Sequence, residues 1–196
     1  MYADGGAEWL DEDARVDDGG SPILRAVLEG EQEADRFTRA GGRGIVLRFG
    51  GFYGPDAPST LLMAQLARRR MLPQIGRGTN YTSSIYVPDA GRAVAAALTV
   101  PAGTYNICDD APVPSAEYLR SVVESHGAPR PWRLPAVLGP VLFGEVGRFF
   151  FRSFRVSNRR FKGAAGWGPE VASVSEGWPR IASAWRVPAP AAGTGG

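Results

Sequence analysis

The sequence is poor in three residue types on which many catalytic and metal sites depend. Its 196 residues include one cysteine, Cys108, one histidine, His126, and one lysine, Lys162. A lone cysteine excludes an internal disulfide, and with a single histidine it is too small a set to hold zinc. A Gly-x-Ser-x-Gly motif is also absent, and no serine is accompanied by the histidine and acid of a hydrolase triad. Disulfide scaffolds, Cys/His metal centres and triad hydrolases are therefore excluded.

The chain also lacks a long hydrophobic run and a strong charge of either sign. No apolar stretch approaches the roughly 20 residues needed to cross a bilayer, and the acidic start of the chain differs from a secretory signal. The formal net charge is +2, so no global field favours nucleic acid or an anionic membrane. With 44% hydrophobic and 21% charged residues, the sequence is typical of one globular domain. We expect a cytoplasmic protein that binds a small-molecule substrate, with no nucleic acid and no membrane as partner.

The stretch Gly44–Pro55 combines a strand, a turn and a candidate site. Its apolar run, Ile45–Leu47, is followed by Gly50 and Gly51, which predicts a strand buried on both faces inside a sheet. Paired glycines allow a ligand to approach the backbone, and ligands of open α/β sheets bind beyond the carboxyl ends of strands. Phe49–Tyr53 is therefore the first candidate site. The alternative interpretation is a plain strand and turn without a ligand.

Further elements are predicted on both sides of this stretch. Ser21 is a good N-cap, Pro22 suits the first helical position, and Gly41-Gly42 can end a helix whose apolar residues fall mostly on one face. This helix and the following strand form an αβ unit. The other predicted elements are a loop over Asp4–Gly20, helices over Ser59–Met71 and Ala90–Thr99 (capped by Asp89), strands over Tyr81–Val87 and Gly103–Cys108, a helix from Ser115 to Gly127, a short helix after Ser157-Asn158, and a helix over Ser175–Trp185.

The segment Leu138–Phe154 is the most apolar and aromatic part of the chain, and arginines are interleaved with its phenylalanines. Such a pattern suits single-stranded nucleic acid or a membrane surface, but an amphipathic helix that lines its own core gives the same pattern. We favour the core helix, because the chain is nearly neutral. A less favoured alternative takes Arg148–Lys162 as an RNA-binding surface, whose binding would weaken steeply with salt. His126 is interpreted as a partly buried helix-end residue and not as a catalyst.

Four blocks of sequence occur in an order that is characteristic of one family. They are Arg48–Pro55, Ile85–Ala93, Gly103–Ile107, and Ser157-Asn158 with Gly166–Pro169. Together they resemble the second half of the NAD-dependent epimerase/dehydratase family, the extended short-chain dehydrogenases, in an atypical form. The resemblance implies an α/β fold: a partial Rossmann-like parallel sheet with a small C-terminal α/β substrate lobe. It also implies that residues 1–187 are the C-terminal half of an NAD(P)-binding domain, with 188–196 as a flexible tail.

The chain departs from the family pattern at the sites of chemistry. The sequence has no glycine-rich dinucleotide fingerprint, and we expect the fingerprint and the catalytic serine of the family to precede Met1. The family's Tyr-x-x-x-Lys pair would fall on Arg25 and Glu29, counted back from Glu33-Ala34, and neither residue can replace it. Thr82 stands where nucleotide-sugar members tend to have an arginine for the diphosphate. The catalytic residues are therefore unassigned.

The resemblance nevertheless implies a function and a set of binding residues. The implied cofactor is NAD or NADP, bound weakly or not at all by this chain alone. The implied function is that of an NAD(P)-dependent oxidoreductase or epimerase-like protein acting on a small carbonyl or sugar-like substrate. A non-catalytic scaffold or dinucleotide sensor is the alternative, and an exposed sheet edge predicts self-association. The implied cofactor-binding residues are Phe49, Gly50, Gly51 and Phe52, and the implied substrate-binding residues are Tyr53 and Arg77.

Overall fold

The computed structural model describes residues 2–138 and 151–185. The helices in this part of the chain are α1 (Pro22–Arg39), α2 (Pro58–Arg68), α3 (Val87–Ala97), α4 (Ser115–Ser125), α5 (Arg159–Ala165) and α6 (Val174–Ala184), with a 3-10 turn over Ala136–Leu138. The strands are β1 (Trp9–Leu10), β2 (Ile45–Phe49), β3 (Gly51–Tyr53), β4 (Gln74–Ile75), β5 (Tyr81–Thr82), β6 (Ser84–Tyr86), β7 (Gly103–Ile107), β8 (Val113–Pro114), β9 (Arg133–Leu134) and β10 (Arg155–Val156).

Most of these strands pair in parallel, across connections that contain helices. β2 pairs with β7, β3 with β6, β1 with β10, and β4 with β9, all in parallel, whereas β5 and β8 are antiparallel. Parallel neighbours need a crossover connection, and helices usually supply it. The predicted α/β fold with Rossmann-like parallel pairing is therefore confirmed.

The chain changes its pairing partner at the two glycines after β2. The amide of Gly50 donates to the carbonyl of Ile107 at 2.9 Å, and the amide of Gly51 donates to the carbonyl of Ser83, also at 2.9 Å. A Cβ atom at Gly50 would lie 2.9 Å from that Ser83 carbonyl oxygen. Gly50 is therefore required by the close approach of a neighbouring backbone, which positions the next three residues beside β6.

The first helix has the ends that the sequence predicts, but its apolar face is open. Ser21 caps α1 by accepting from the Leu24 amide at 3.5 Å, and Gly41 follows the helix with a φ of 93°. None of its residues is buried, and Ile23 keeps 76% of its surface exposed. Within the described residues, the apolar face of α1 has no covering element.

The strand β2 differs from its prediction in the same region. All five of its residues are half-buried, and it pairs with β7 along one edge, with no further strand beside it in the described part of the chain. The prediction of a strand buried on both faces inside a sheet is therefore wrong. The run Ile45–Leu47 predicts the strand correctly. In the described part of the chain, however, one edge of that strand is unpaired and its residues are only half-buried.

The core that supports the site lies on the other side of the molecule. One cluster surrounds Trp178 of α6, which is fully buried and stacks on Tyr53 at 6.4 Å between ring centroids. Gly177 allows this packing, since a Cβ there would overlap the Tyr53 ring. A second cluster packs Ile107 of β7 and Phe161 of α5 against α3. These clusters hold the carboxyl ends of β3 and β7 in place.

Two local predictions need correction. The predicted strand Tyr81–Val87 is interrupted at Ser83, whose hydroxyl donates to the Phe154 carbonyl at 2.8 Å and accepts from the Val156 amide at 2.9 Å. Asp89 does not cap α3: it lies in the first turn, fully buried, and accepts from the Val171 amide at 3.0 Å. In both cases a contact that is distant in sequence overrides the local pattern.

Parts of two predictions lie outside the described residues. The aromatic segment Leu138–Phe154 is described only at Leu138 and over 151–154, so its predicted core helix lies mainly outside, and so does the tail 188–196. In the ranges that the structure covers, no helix has the length and apolarity to span a membrane. His126 follows the last turn of α4 and is half-buried, as predicted.

Candidate functional site

A groove of about 720 Å³ runs between α1 and β2 and continues past the carboxyl end of β2. We call it the α1–β2 groove. One wall is formed by residues on a single face of α1, namely Leu24, Val27, Gly30, Glu31 and Ala34. Its floor is β2, and its far end is formed by Gly50–Phe52, by Tyr81–Ser83 and by residues next to β10. The groove therefore exists because the apolar face of α1 and the free side of β2 are uncovered.

The four predicted cofactor-binding residues all line this groove. Phe49 and Phe52 pack with their ring centroids 5.1 Å apart, and Phe52 keeps 51% of its surface exposed. At Gly51 a Cβ would meet its nearest neighbour at 3.8 Å, so the space beside it is open. The structure brings these residues together on an accessible apolar surface. Their contact with a cofactor stays a prediction.

The two predicted substrate-binding residues lie elsewhere. Tyr53 is fully buried, and its hydroxyl donates to the carbonyl of Ser173 at 3.3 Å. Burial raises the pKa of this phenol far above its ordinary value. Arg77 lies on the exposed turn between β4 and β5, outside the α1–β2 groove. Tyr53 is thus a packing residue in this structure, and the contact of both residues with substrate stays a prediction.

An ion pair crosses the groove between helix and strand. Arg48 of β2 donates from Nε and Nη2 to the two carboxylate oxygens of Glu31 on α1, at 2.8 and 2.6 Å. Both side chains are 17% exposed, and the hydrogen bonds to Glu31 raise the pKa of the Arg48 guanidinium. Such a bidentate pair fixes the distance between its two elements. Glu31 therefore fixes how far α1 stands from β2.

The remaining nitrogen of that guanidinium joins the N-terminal loop to β7. Nη1 of Arg48 donates to the Tyr2 hydroxyl at 2.9 Å and to the Glu12 carbonyl at 3.2 Å. The Tyr2 hydroxyl in turn donates to Oδ1 of Asn106 at 2.7 Å, and burial raises the pKa of this phenol. The buried carboxylate of Glu12 accepts from the Asn106 amide at 2.8 Å. All three nitrogens of the Arg48 guanidinium therefore donate hydrogen bonds within the protein.

A buried carboxyl group lies at the carboxyl end of β7. Asp109 is 2% exposed, and its Oδ1 has no hydrogen-bond partner among the described residues. Burial is the main cause that raises the pKa of Asp109 to about 8, and the nearby carboxylates of Asp110 and Asp89 raise it further. Asp109 therefore carries a proton at neutral pH. It is near enough to Tyr53 to help raise the pKa of that phenol, and it does not line the groove.

The side of α1 that faces the groove carries no acid–base pair of the family type. Arg25 instead pairs with Asp18 at 3.0 Å, and Glu29 is exposed, so neither of the two counted positions lines the groove. The positions that do face it are occupied by Leu24, Val27, Gly30, Glu31 and Ala34. Neither the counted positions nor the groove-facing positions of α1 hold a tyrosine or a lysine. In the described ranges, no cluster of side chains is suited to hold a metal ion either.

The fit of a nicotinamide dinucleotide to this chain is partial. The apolar wall of Phe49 and Phe52 and the open backbone at Gly51 suit a planar ring. The diphosphate of a dinucleotide requires a glycine-rich turn at a helix N-terminus, and the sequence has no such motif. The residues present therefore fit one end of the cofactor and do not fit the whole.

Comparison with known proteins yields one curated relative and a group of solved structures. The curated relative is a 3-diazoavenalumate denitrifying reductase from a Streptomyces species, 36% identical over 181 residues, which cover 86% of this chain and 57% of the reductase. The human epimerase family protein SDR39U1 (isoform 2), solved with NADPH, matches with a TM-score of 0.79 and 19% identity over 93% of this chain and 62% of its own. A dTDP-glucose 4,6-dehydratase of Bacillus anthracis in complex with NAD matches with a TM-score of 0.71 and 16% identity, over 91% of this chain and 56% of its own. No protein-family model matches the chain.

These matches establish the fold and show how much of each related protein the chain spans. The fold is that of the epimerase/dehydratase-type short-chain dehydrogenases, so the resemblance predicted from the four sequence blocks is confirmed at that level. The chain spans 57% of the curated reductase and 62% of the human protein. Both solved relatives contain a nicotinamide dinucleotide, so NAD(P) is the cofactor that the fold implies.

Sequence reasoning missed the polar residues that shape the site. The sequence does indicate that Glu31 is unusual, because it is an acid on the apolar face of α1, in helical register with Leu24 and Ala34. Glu12 and Asp109 carry none: both lie in acidic stretches that are typical of solvated loops. Their burial results from contacts with strands that are distant in sequence.

Proposed function

We propose that this chain forms the substrate-side part of an NAD(P)-dependent oxidoreductase that acts on a small carbonyl or sugar-like substrate. In this proposal residues 1–187 correspond to the C-terminal half of a dinucleotide-binding domain. The cofactor residues are Phe49, Gly50, Gly51 and Phe52, which contact the nicotinamide end. A reductase is favoured over an epimerase, because the curated relative at 36% identity is a reductase.

One observation carries the proposal. The α1–β2 groove opens at the carboxyl end of a parallel strand, which is where ligands of open α/β sheets bind. Its walls there are apolar and aromatic, and Gly51 leaves the backbone accessible. Because no phosphate-binding turn is present in the sequence, the chain alone is expected to bind a dinucleotide weakly.

The experiment is a fusion that supplies the remaining part of the fold. The segment of the Streptomyces reductase that this chain does not match is fused ahead of it, and NADPH is titrated while the nicotinamide fluorescence is followed. We expect saturable binding by the fusion, and weaker binding when Gly51→Val fills the open space beside the ring. Gly163→Ala is the matched control, since a Cβ at this exposed helical glycine has no neighbour within 4 Å. If the fusion with Gly51→Val folds and binds NADPH as tightly as the fusion without it, this result contradicts the proposal.

The dinucleotide sensor is the second candidate, and the side chains of α1 favour it. None of the α1 residues that line the groove is a tyrosine or a lysine, and its one acid, Glu31, is paired with Arg48. A sensor predicts that the fusion binds NADPH without turning over any carbonyl compound. Oxidation of NADPH by the fusion, followed by its absorbance, would support the enzyme instead.

We also propose self-association through the uncovered side of β2. A free strand edge next to an apolar helix face is a template for pairing with a second copy. Size-exclusion chromatography with light scattering should show a mass above that of the 20.9 kDa monomer. A monomer at all concentrations contradicts this part of the proposal.

A further inference from the structure

We propose that the paired strands β4 and β9 form a docking surface for an anionic phospholipid bilayer. Exposed arginines bind the lipid phosphates, and exposed apolar side chains among them enter the interfacial layer of the bilayer. The β4–β9 surface is defined by the exposed side chains of Arg70, Met71, Arg130, Trp132, Arg133 and Val137. None of these residues lines the α1–β2 groove, so this inference goes beyond the proposed function and does not depend on it.

The charge in this part of the chain has one sign, although the net charge of the whole chain is only +2. The stretches 57–88 and 125–138 contain no aspartate and no glutamate. They contain six exposed arginines, four in the first stretch and two in the second, namely Arg68, Arg69, Arg70, Arg77, Arg130 and Arg133. The expectation of no membrane partner depends on the net charge, which hides this local excess of positive charge.

These arginines keep their charge unbalanced. Among the described residues, none of the six forms an ion pair with a carboxylate, whereas Arg48, Arg92 and Arg160 elsewhere in the chain all do. Arg68 lies over the ring of Trp185 at 6.0 Å, a contact that leaves its charge in place. An exposed guanidinium without a carboxylate is available to a phosphate, which its planar fork can bind through two hydrogen bonds.

The parallel register of β4 and β9 brings the two stretches side by side. Gln74 is aligned with Arg133, and the Gln74 amide donates to the Trp132 carbonyl at 2.8 Å. The same offset brings Met71, three residues before Gln74, level with Arg130. At the other end, a Cβ at Gly76 would lie 3.3 Å from the Cβ of Ala136, the residue before Val137. The arginines and the apolar side chains of the two stretches are therefore neighbours.

The exposed apolar side chains favour a bilayer over nucleic acid. Met71 is 58% exposed, Trp132 is 54% exposed and Val137 is 75% exposed. A nucleic-acid backbone offers partners to the arginines but none to a methionine or a valine. A single strand is bound by several aromatic rings on which its bases stack, and this surface has one, Trp132. The interfacial layer of a membrane accepts cations, aliphatic side chains and tryptophan together.

The test is co-sedimentation of the full chain with lipid vesicles. One set contains phosphatidylcholine alone, and the other contains phosphatidylcholine with 30% phosphatidylserine. We expect binding to the anionic vesicles, weaker binding at higher salt, and little binding to the neutral vesicles. Arg130→Gln combined with Arg133→Gln should weaken binding about 25-fold, since one arginine near an anionic surface contributes about fivefold. Arg39→Gln combined with Arg159→Gln removes the same charge from exposed positions elsewhere and should bind as the wild type does.

A second readout follows the contact of Trp132 with the lipid. Vesicles with brominated acyl chains should quench part of the tryptophan fluorescence of the wild type, and Trp132→Phe should remove that quenching while keeping the positive charge. Quenching that is unchanged in Trp132→Phe contradicts the proposed surface.

Three further results would overturn the proposal. They are failure of the wild type to bind the anionic vesicles, equal binding by the two double variants, and displacement of the chain from the vesicles by a single-stranded oligonucleotide at equal phosphate concentration, which would identify a nucleic-acid surface. Matching circular dichroism spectra of the variants and the wild type show that a loss of binding is not a loss of folding. Because no cofactor or carbonyl substrate is present, failure of the proposed oxidoreductase function leaves these results unchanged.

Discussion

Asp109 makes the stability of this protein depend on pH in a direction opposite to that of most carboxylates. Its pKa is raised from the ordinary value of 3.8 to about 8 in the folded state, chiefly by burial. The folded protein therefore binds this proton more tightly than the unfolded chain does. Its contribution to stability is complete below pH 4 and falls as the pH rises, until it is lost above about pH 8. Above that pH, a negative charge is buried at the carboxyl end of β7.

The free-energy cost of keeping Asp109 protonated follows from the difference between the pH and its ordinary pKa. At pH 7 the carboxyl is held protonated roughly three pH units above its ordinary pKa, and each unit corresponds to about 1.4 kcal/mol. Keeping Asp109 neutral therefore costs about 4 kcal/mol at pH 7. Asp109→Asn is neutral at every pH and nearly the same size, but its amide leaves a buried donor to be satisfied, at about 1 to 3 kcal/mol. We expect the variant to be more stable than the wild type by about 1 to 3 kcal/mol at pH 7.

The assay is urea unfolding at several pH values between 5 and 8, followed by tryptophan fluorescence. The stabilisation by Asp109→Asn should grow as the pH rises through this range and should vanish near pH 5. Asp56→Asn removes an exposed carboxylate and is the control, with a difference from the wild type that stays within about 0.5 kcal/mol. The reasoning is refuted if Asp109→Asn and the wild type lose stability in parallel between pH 5 and pH 8.

Two further substitutions test the contacts that shape the groove. Glu31→Gln leaves the half-buried guanidinium on β2 without its carboxylate, so we expect a loss of about 2 kcal/mol in urea unfolding, whereas Glu33→Gln on the exposed side of α1 should change stability by less than about 0.5 kcal/mol. Equal effects of the two would show that the cross-groove pair does not hold α1. Gly177→Ala places a methyl group against the buried ring of Tyr53, and we expect a loss of about 1 to 3 kcal/mol. Gly163→Ala, which meets open space, should be neutral or stabilising, and a Gly177→Ala protein as stable as the wild type would contradict the described core.

The parts of the fold that could be predicted from sequence are those with local causes. The ends of α1 depend on Ser21, Pro22 and the glycines after the helix, and these residues act within one turn. The prediction of β7 is correct to within one residue, since residues that favour strands directly follow the glycine at its start. The order of the four family-like blocks also led to the correct fold. In each case the signal and the structure it specifies lie in the same few residues.

The parts that could not be predicted depend on distant partners. The apolar run of β2 predicts full burial in the sheet. Only the structure shows that its residues are half-buried and that a groove separates it from α1. Asp109 belongs to an acidic pair that predicts a turn, yet it is buried, and its amide donates to the carbonyl of Ser84 on β6. Glu12 belongs to an acidic run that is typical of a solvated loop, yet it is buried and its carboxylate accepts from the Asn106 amide. A site assembled from such contacts has no continuous signature.

The most direct measurement of the central claim is a titration of the purified 196-residue chain with NADPH, followed by nicotinamide fluorescence. In the proposed function, these residues supply the substrate side of a dinucleotide-binding fold without its phosphate-binding turn. It predicts weak, unsaturated binding by the chain alone and saturable binding by the fusion described above. Tight, saturable binding of NADPH by the unfused chain would contradict it.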